Sequence, residues 1–348
     1  MTHRSRLTPA MALVAALLLT ACAAEGRQTA VPPETVTVTN CGAPAQFPSP
    51  ASRMLVTDGN LIAMVLAIGA QDAVTAVTRL SRDVETLRRY YGAPVDQLRE
   101  VSPNYPSRET ILAQSPDVMV AGWVSGYKQA DGITPDAMRD AGIAPYVLTD
   151  SCLQEDGAAR GGVEPWAALR EDLTNLGAIT GRPAQAQEVV ADIDRRLTAL
   201  RNAPQPADPP TIFLVDSVTN GVFSSGRFGA PEAIITAGGG RNALSDVADT
   251  WIEVSWERVA ASDPDAFLFV DYPPQAFEEK VAALRAREGI NQLPAVVEGR
   301  FLNLPYALWT SGPLNIDAAE QVRKALERWQ LVPPSTIEPR FNDEPARQ

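Results

Sequence analysis

The sequence predicts an α/β protein of two lobes, each a parallel sheet flanked by helices, with a long helical stretch between them. Short apolar strands alternate with helices in both halves of the chain, an arrangement typical of parallel sheets covered by helices. The pattern Ser-x-Glu, six residues, Pro-Asp occurs at 107–117 and again at 255–265, which indicates two lobes of related design. Between the lobes, apolar residues recur at helical spacing from Trp166 to about Leu200.

The apolar periodicity defines the elements in order. In the first lobe it predicts strand 54–56, helix 61–69, strand 73–77, helix 110–114, strand 118–121, helix 135–141 and strand 146–148. In the second lobe it predicts strand 212–215, helices 231–237 and 256–261, strand 266–270, helix 275–287, strand 300–304 and helix 316–329. Gly181-Arg182-Pro183 predicts a break or kink in the central helical stretch.

The predicted organisation has six segments. They are a signal peptide at 1–21, a flexible tether at 22–50 with a short strand at 36–39, the first lobe at 51–160, the connecting helix at 161–205, the second lobe at 206–332 and a loose tail at 333–348. The tether and the tail are predicted from their low apolar content.

The composition excludes several classes of function. The chain has 348 residues, 42 acidic against 30 basic, and a formal net charge of -12. A nucleic-acid partner is not expected, because binding to phosphates needs a basic face. The 45% hydrophobic content is that of a folded globular protein rather than a disordered one.

The first residues have the features of a targeting sequence. Arg4 and Arg6 precede an apolar run at 10–19, too short for a confident membrane span. The run ends in Leu19-Thr20-Ala21-Cys22, which resembles the bacterial lipobox, in which the cysteine is diacylated and becomes the first mature residue. We therefore expect lipidation at Cys22 and anchoring at the extracytoplasmic face of the cell membrane. An ordinary secretory signal with a chance cysteine is the alternative.

Cleavage before Cys22 removes His3, the only histidine of the chain. A mature protein without histidine cannot use a Ser-His-Asp or Cys-His mechanism and lacks the commonest ligand for transition metals. The sequence also contains no GxxxxGK[ST] motif and no GxGxxG motif after a strand. We therefore predict no catalytic residue, no metal site and no resident cofactor, and the protein is not expected to be an enzyme.

Besides Cys22, the mature chain has two cysteines, Cys41 and Cys152. Thiols outside the cytoplasm often pair, so a Cys41–Cys152 disulfide is predicted, with two free buried thiols as the alternative.

Several short motifs follow one another between about Arg53 and Trp329. They are Arg53–Val56, Leu66–Gly69, Pro106–Glu109 with Pro116-Asp117, Ala141–Leu148, Leu176–Gly181, Ala237–Gly239 with Asn242, Ser255–Glu257 with Pro264-Asp265, and Leu293–Val296 with Gly299-Arg300. Each motif alone is a weak signal, but their order and spacing are specific. Together they resemble the motifs of the substrate-binding lipoproteins of ABC importers for iron–siderophore complexes, haem and cobalamin.

The resemblance implies the fold of class III periplasmic binding proteins, with two Rossmann-like lobes joined by one long helix, here at about 163–203, and a ligand in the cleft between them. It also implies an ABC permease and its ATPase as partners. Related proteins carry on each lobe a glutamate that docks onto arginines of the permease, and by position these are Glu109 and Glu257. The alternative for each is an acid favoured by the helix dipole in a first turn. The protein is expected to be a monomer.

Cleft residues are predicted from the rule that ligands of open α/β sheets bind outside the carboxyl ends of the strands. The candidates at those ends are Asp58, Asn60, Arg79, Trp123 and Tyr127 in the first lobe, and Ser217, Arg227, Tyr272, Tyr306 and Trp309 in the second. Aromatic rings with isolated arginines suggest a flat or amphipathic anionic chelate.

The expected ligand is a metal chelate, with a ferric siderophore first, cobalamin second and another organic ligand, such as a deazaflavin-type precursor, third. Haem held by histidine is excluded by the composition, whereas haem held by tyrosine stays open. Two alternatives belong to other functional classes. One is a surface sensor that has no permease partner, and the other is an enzyme built on the same lobes.

Overall fold

The computed structural model describes residues 1–2, 34–155, 157 and 159–341. The predicted signal peptide and the lipidation site Cys22 lie outside the described residues. No helix in these ranges is both long enough and apolar enough to span a bilayer.

Parallel sheets form the centre of each lobe, with helices between successive strands. The strands are β1 (Thr35–Asn40), β2 (Ala43–Pro48), β3 (Met54–Thr57), β4 (Val74–Thr78), β5 (Glu100–Ser102), β6 (Val118–Trp123), β7 (Gly126–Tyr127), β8 (Ala144–Val147), β9 (Thr211–Val215), β10 (Ser217–Val218), β11 (Val222–Ser225), β12 (Arg241–Asn242), β13 (Trp251–Val254), β14 (Ala266–Asp271) and β15 (Phe301–Pro305). The helices are α1 (Gly59–Ala67), α2 (Leu80–Tyr91), α3 (Arg108–Gln114), α4 (Pro135–Asp140), α5 (Pro165–Ile179), α6 (Pro183–Asn202), α7 (Ala230–Ala237), α8 (Trp256–Ala261), α9 (Phe277–Ala286), α10 (Pro294–Val297) and α11 (Asn315–Arg328).

The order in the first sheet is β5-β4-β3-β6, with β7 and β8 both pairing with β6, and every pair is parallel. The second sheet has the order β12-β9-β14-β15, again all parallel. The predicted α/β class with two parallel sheets is confirmed. A separate antiparallel sheet, β10-β11-β13, lies in the second half of the chain and is not predicted by the sequence.

The repeated Pro-Asp motif has a structural cause in both lobes. The carboxylate of Asp117 accepts hydrogen bonds from the backbone N–H groups of Ser52 and Arg53, just before β3. The carboxylate of Asp265 accepts one from the N–H of Thr211, the first residue of β9, at 2.7 Å. Each aspartate therefore fixes the start of the neighbouring strand and satisfies backbone donors that the sheet leaves free.

The region between the lobes is two helices, not the single helix predicted at 161–205. α5 ends before Gly181, whose φ is +70°, and α6 begins at Pro183 and runs back along α5. A Cβ atom at Gly177 would lie 2.4 Å from that of Ala186, so this glycine permits the close approach of the two helices. The Nε atom of Arg170 donates to Asp194 at 2.7 Å farther along the pair.

The segment predicted as a flexible tether is partly folded. Residues 34–50 contain the antiparallel hairpin β1–β2, and the side chain of Asn40 exchanges hydrogen bonds with the backbone of Val147 at 2.7 and 2.9 Å. Cys41 and Cys152 form a disulfide that joins the hairpin to the segment after β8. The strand predicted at 36–39 is confirmed within β1. The flexible tether is wrong for residues 34–50, because β1 is formed by alternation of small apolar and polar residues and not by high apolar content.

The tail predicted to be loose from residue 333 is packed as far as Phe341. Ile337 is 9% exposed and belongs to the main core. The buried guanidinium of Arg323 donates to the carbonyl oxygen of Pro333 at 2.7 Å. The ring of Phe341 lies edge-on to that of Tyr90, with the centroids 4.8 Å apart. The segment therefore connects α11 of the second lobe to α2 of the first.

The apolar core is shared between the lobes. Its largest cluster contains residues of both parallel sheets together with α5, α6 and α11, such as Val56, Leu173, Leu197, Leu268 and Leu326. A second cluster lies on the other face of the second sheet, and a third on the other face of the first sheet. The described residues from Glu34 to Phe341 consequently belong to one compact unit.

Candidate functional site

The cleft between the lobes is the candidate ligand site. It encloses about 460 Å³ and is bounded by the carboxyl ends of strands from both parallel sheets. The charged and aromatic residues of its lining are Asp58, Tyr105, Trp123, Asp150, Arg160, Asp216, Phe223, Trp251, Tyr272 and Tyr306. A larger hollow, of about 650 Å³, lies beside the disulfide, but it takes no lining residue from the second lobe.

A buried ion-pair network forms the first-lobe side of the cleft. Asp58, directly after β3, is 1% exposed and accepts hydrogen bonds from the Arg82 guanidinium and, at 2.7 Å, from the Tyr105 hydroxyl. Arg82 also donates to Asp83 at 2.6 Å. Gly59 is required here, because a Cβ atom at this position would lie 2.1 Å from an Asp83 carboxylate oxygen. Burial opposes the charge of Arg82, but Asp58 and Asp83 outweigh it and raise the pKa of its guanidinium.

A second network lies on the other lobe. The Tyr272 hydroxyl donates to the carboxylate of Asp216 at 2.7 Å, and burial raises the pKa of Asp216. Lys280 donates to the carbonyl oxygen of Val270 at 2.5 Å, and its Nζ atom lies 4.9 Å from the centroid of the Tyr272 ring. Burial lowers the pKa of this lysine, whereas Asp216 acts in the opposite direction. The Asp216 charge therefore faces a cation of its own lobe.

Six aromatic rings contribute to the lining of the cleft. Phe223 on β11 and Trp251 on β13 are stacked, with centroids 6.0 Å apart and an interplanar angle of 20°. Tyr272 and Tyr306 meet edge to face at 5.2 Å. The Arg82 guanidinium of the first lobe lies 3.5 Å from the centroid of the Tyr306 ring. Such walls bind the organic part of a ligand through apolar and π contacts.

Asp150 and Arg160 complete the charged lining. Asp150 is 7% exposed, and among the residues that the structure describes none donates a hydrogen bond to its carboxylate. Burial raises the pKa of Asp150 to about 7, although Arg160 opposes this. Arg160 has other partners, since its Nε atom is 3.9 Å from Asp249 and its Nη2 atom donates to the carbonyl oxygen of Trp251 at 3.3 Å.

Hydrogen bonds join the lobes at two places along this lining. The Asn60 side-chain amide donates to the carbonyl oxygen of Ser311 at 2.8 Å. Elsewhere, the backbone N–H of Arg160 donates to the carboxylate of Asp249 at 3.1 Å. The cleft is thus closed by direct contacts between the lobes as well as by the helices.

Half of the ten cleft residues predicted from the sequence line the cavity. These are Asp58, Asn60, Trp123, Tyr272 and Tyr306. Each of them stands at or just after the end of a parallel strand, or in the first turn of the helix that follows, as the strand-end rule requires.

Two predicted aromatic residues belong to the core instead of the cleft. Tyr127 is fully buried, and its hydroxyl donates to the carbonyl oxygen of Met119 at 2.9 Å. Trp309 is fully buried, and its Nε1 atom donates to the carbonyl oxygen of Phe269 at 3.0 Å. Both rings pack inside their lobes because each finds its polar partner on a neighbouring strand.

The remaining three predicted residues lie outside the lining. Arg227 is exposed and packs over the Phe228 ring at 4.9 Å, and Ser217 lies on β10. The Arg79 Nε atom is 3.8 Å from the carboxylate of Asp58, and the Arg79 guanidinium lies over the Tyr105 ring. Arg79 and Arg227, which suggested an anionic ligand, are therefore not among the residues that line the cleft. The lining contains Arg160 instead, and its side chain lies 3.9 Å from Asp249.

Six charged or aromatic residues of the lining are not among the ten cleft candidates: Tyr105, Asp150, Arg160, Asp216, Phe223 and Trp251. Asp216 directly follows β9, so the strand-end rule applied strictly finds it. The other five stand on the loop after β5, on the irregular segment after β8 and on the antiparallel sheet, for which the sequence gives no strong pattern.

Glu109 and Glu257, predicted to dock onto a permease, occupy equivalent positions on α3 and α8. Each follows an N-cap serine, Ser107 or Ser255, whose hydroxyl accepts a hydrogen bond from the third residue of the helix. Both glutamates are exposed. Hydrogen bonds from their own backbone N–H and from the serine hydroxyl lower the pKa of each carboxyl, so both are ionised at neutral pH.

Among the described residues, no group of three or more histidine, cysteine, aspartate and glutamate side chains is arranged to hold a metal ion. The cleft offers rings, hydroxyls and single carboxylates.

The family model described as periplasmic binding protein matches residues 55–308. Solved structures share the fold. A periplasmic binding protein from Veillonella parvula is 22% identical, with a TM-score of 0.69 over 84% of this chain and 97% of its own. The structure named for an ABC-type Fe3+-hydroxamate transport system from Saccharomonospora viridis is 22% identical, with a TM-score of 0.67 over 84% and 98%.

A periplasmic haem-binding protein from Pseudomonas aeruginosa is 21% identical, with a TM-score of 0.61 over 85% of this chain and 99% of its own. No curated protein matches the sequence significantly. The family match covers most of the chain, including both sheets and the strand ends around the cleft. The chain therefore belongs to the periplasmic binding protein family and is a substrate-binding component of ABC import.

Proposed function

We propose that this chain is a lipid-anchored receptor that captures a ferric siderophore in the cleft between its lobes and delivers it to an ABC permease. The lipobox-like Leu19-Thr20-Ala21-Cys22 supports anchoring through Cys22 at the extracytoplasmic face. The anchor would keep the receptor close to the permease without a membrane-spanning helix.

The observation that carries the choice of ligand class is the aromatic wall of the cleft. Rings on both lobes, such as Trp123 and Trp251, offer faces to an organic ligand. A siderophore already fills the coordination sphere of its iron, so the receptor needs to bind only the organic shell. Names of structural neighbours are consistent with organic chelates, since they include Fe3+-hydroxamate transport, haem and vitamin B12.

Cobalamin is the second candidate, because it is also an organic molecule that carries its metal fully coordinated. A deazaflavin-type precursor is the third. In each case the same cleft would hold the ligand, so one titration distinguishes them.

Tryptophan fluorescence tests the proposal. The chain from residue 23 onward is titrated with ferric siderophores, haemin, cobalamins and a deazaflavin. Saturable quenching by a ferric siderophore at sub-micromolar concentration is expected, because Trp123 and Trp251 line the cleft. Trp123→Phe with Trp251→Phe should remove most of the quenching, whereas Trp166→Phe in buried α5 should not. Quenching by cobalamin alone or by deazaflavin alone would identify that compound, and not a siderophore, as the ligand. No quenching by any of the compounds would refute the proposal of a chelate receptor.

We propose also that Glu109 and Glu257 are the contacts to the permease. They are exposed, ionised and equivalent in the two lobes, which suits a partner with one basic pocket for each lobe.

A further inference from the structure

The charges that line the cleft are matched by partners in all cases but one. Asp58 is paired with Arg82, Asp216 accepts a hydrogen bond from Tyr272, and Arg160 lies 3.9 Å from Asp249. Asp150 is the exception. Within the described parts of the chain, no ion pair and no hydrogen bond to its carboxylate is formed, and Arg160 acts on it only at longer range.

The Asp150 side chain lies against the cavity and is more than nine-tenths buried. It is 7% exposed, compared with 1% for Asp58 and 3% for Asp216. A buried carboxylate without a counter-charge is costly for the folded protein. Buried ionisable groups of this kind cluster at binding and catalytic sites.

Two further features of the lining suit a cation. The Asn60 amide, the Ser151 hydroxyl and the Arg160 guanidinium, which could hold an anion, already donate to carbonyl oxygens of the protein. Three of the six rings already lie under protein cations, Tyr105 under Arg79, Tyr272 under Lys280 and Tyr306 under Arg82. Among the described residues no cation lies over the other three, Trp123, Phe223 and Trp251, whose negative π faces can attract a cationic ligand.

We propose that the ligand carries a positively charged group, an ammonium or a cationic metal complex, which binds beside Asp150, and that the cleft rejects anionic chelates. This inference rests on the proposed function and narrows its ligand class. It reverses the expectation of an anionic chelate drawn from the sequence.

A pair of probes that differ in charge on the same scaffold provides the test. Ferrioxamine B, whose chelate carries a free ammonium, is compared with its N-acetylated neutral derivative. Neutral cyanocobalamin, anionic ferric enterobactin and anionic haemin complete the set. Calorimetric titration of the full-length protein at about pH 8 should give at least about tenfold tighter binding for ferrioxamine B than for the other probes.

The variant Asp150→Asn should reduce that preference to less than about threefold, because it removes the counter-charge but retains the shape. Asp140→Asn is the matched control. It removes the same charge from the same lobe at an exposed position on α4, and it should keep the preference. Thermal unfolding of both variants verifies that they are folded.

A cation preference that disappears only in Asp150→Asn supports the inference. Three results would overturn the inference and leave the receptor function intact. The neutral probe could bind as tightly as the cationic one, Asp150→Asn could keep the preference, or ferric enterobactin or haemin could bind tightly. Failure of every chelate to bind overturns both.

Discussion

Trp123 and Tyr127 lie four residues apart, with ring centroids separated by 6.1 Å, yet they have different roles. Trp123 lines the cleft, and Tyr127 is a core residue. Trp123→Ala should weaken ligand binding at least about tenfold, since an anchoring aromatic side chain is lost. Tyr127→Phe should instead lower the free energy of unfolding by about 1 kcal/mol, because it removes the hydrogen bond to Met119.

Calorimetric binding and urea unfolding of both variants separate the two roles. The reverse pattern, with affinity lost in Tyr127→Phe and only stability lost in Trp123→Ala, would contradict this assignment.

Burial of Asp150 makes the stability depend on pH. Its pKa is raised by burial to about 7, so the folded protein binds this proton more tightly than the unfolded chain does. The stabilisation from this group is complete below the unfolded pKa, near 4, and is lost as the pH rises through about 7. Asp150→Asn should therefore be more stable than wild type at about pH 8, by roughly 1–4 kcal/mol, and the difference should shrink towards about pH 4.

Urea unfolding at several pH values measures this difference. Arg160 opposes the rise in the pKa of Asp150. Burial raises the pKa of Asp172 and the Asp150 charge raises it further, so Asp150→Asn also reduces the destabilisation that Asp172 causes at high pH. A difference that does not change with pH would show that Asp150 is not buried as described.

At the scale of elements, the disulfide anchors the β1–β2 hairpin to the first lobe. Cys41 and Cys152 are 111 residues apart in sequence, so the bond closes a long loop of the unfolded chain. Replacing both with serine should lower the free energy of unfolding by about 3–5 kcal/mol. Dithiothreitol should destabilise the wild type to the same extent and leave the double variant unchanged. An unchanged urea midpoint would show that the hairpin needs no covalent link.

The C-terminal segment after α11 is also part of the folded structure. Ile337 is 9% exposed, and Ile337→Ala should lower the free energy of unfolding by about 2–4 kcal/mol. Val297→Ala, at a residue that is 71% exposed on α10, should change it by less than about 0.5 kcal/mol. If Ile337→Ala changed thermal and urea unfolding as little as Val297→Ala does, the segment would be loose after all.

The central strands of both parallel sheets were predictable because they are short, mostly apolar and buried on both faces, as Val118–Ala121 shows. The sheet strands β5, β7 and β12 have only two or three residues each, and the sequence does not predict them. No helix is predicted between Val77 and Thr110, yet α2 is there. Its apolar positions, from Leu80 to Leu87, are separated by charged residues that weaken the pattern. One of those charges is Arg82, which explains why the ion-pair network of the cleft was not foreseen.

The cleft was predictable only where it follows strand ends. Asp58 and Tyr272 were found in this way, whereas Asp150 and Phe223 lie on an irregular segment and on a sheet that forms only through tertiary contacts. The paired state of a charge is not visible in a sequence, so Arg79 and Arg227 looked like free cations before their surroundings were known.

At the scale of the whole molecule, the paired glutamates should control delivery but not capture. Glu109→Arg with Glu257→Arg should abolish most uptake in cells that contain the permease, because each charge then repels a basic pocket. Ligand affinity should stay within about twofold, since neither residue lines the cleft.

Glu278→Arg, an exposed residue in the first turn of α9, is the matched control and should leave uptake unchanged. Normal uptake by the double variant would exclude the glutamates as the docking contacts.

The lobes of this receptor share one continuous core and are also joined by the Asn60–Ser311 hydrogen bond and the Tyr90–Phe341 contact. Large hinge opening would break all three, so the empty and loaded forms should have nearly the same outline. A permease that recognised only this outline would accept empty receptors as readily as full ones. Empty copies would then compete for the transporter, and import would slow as the receptor outnumbers its cargo. Discrimination between empty and loaded receptors would then depend on contacts between the permease and the bound ligand at the mouth of the cleft.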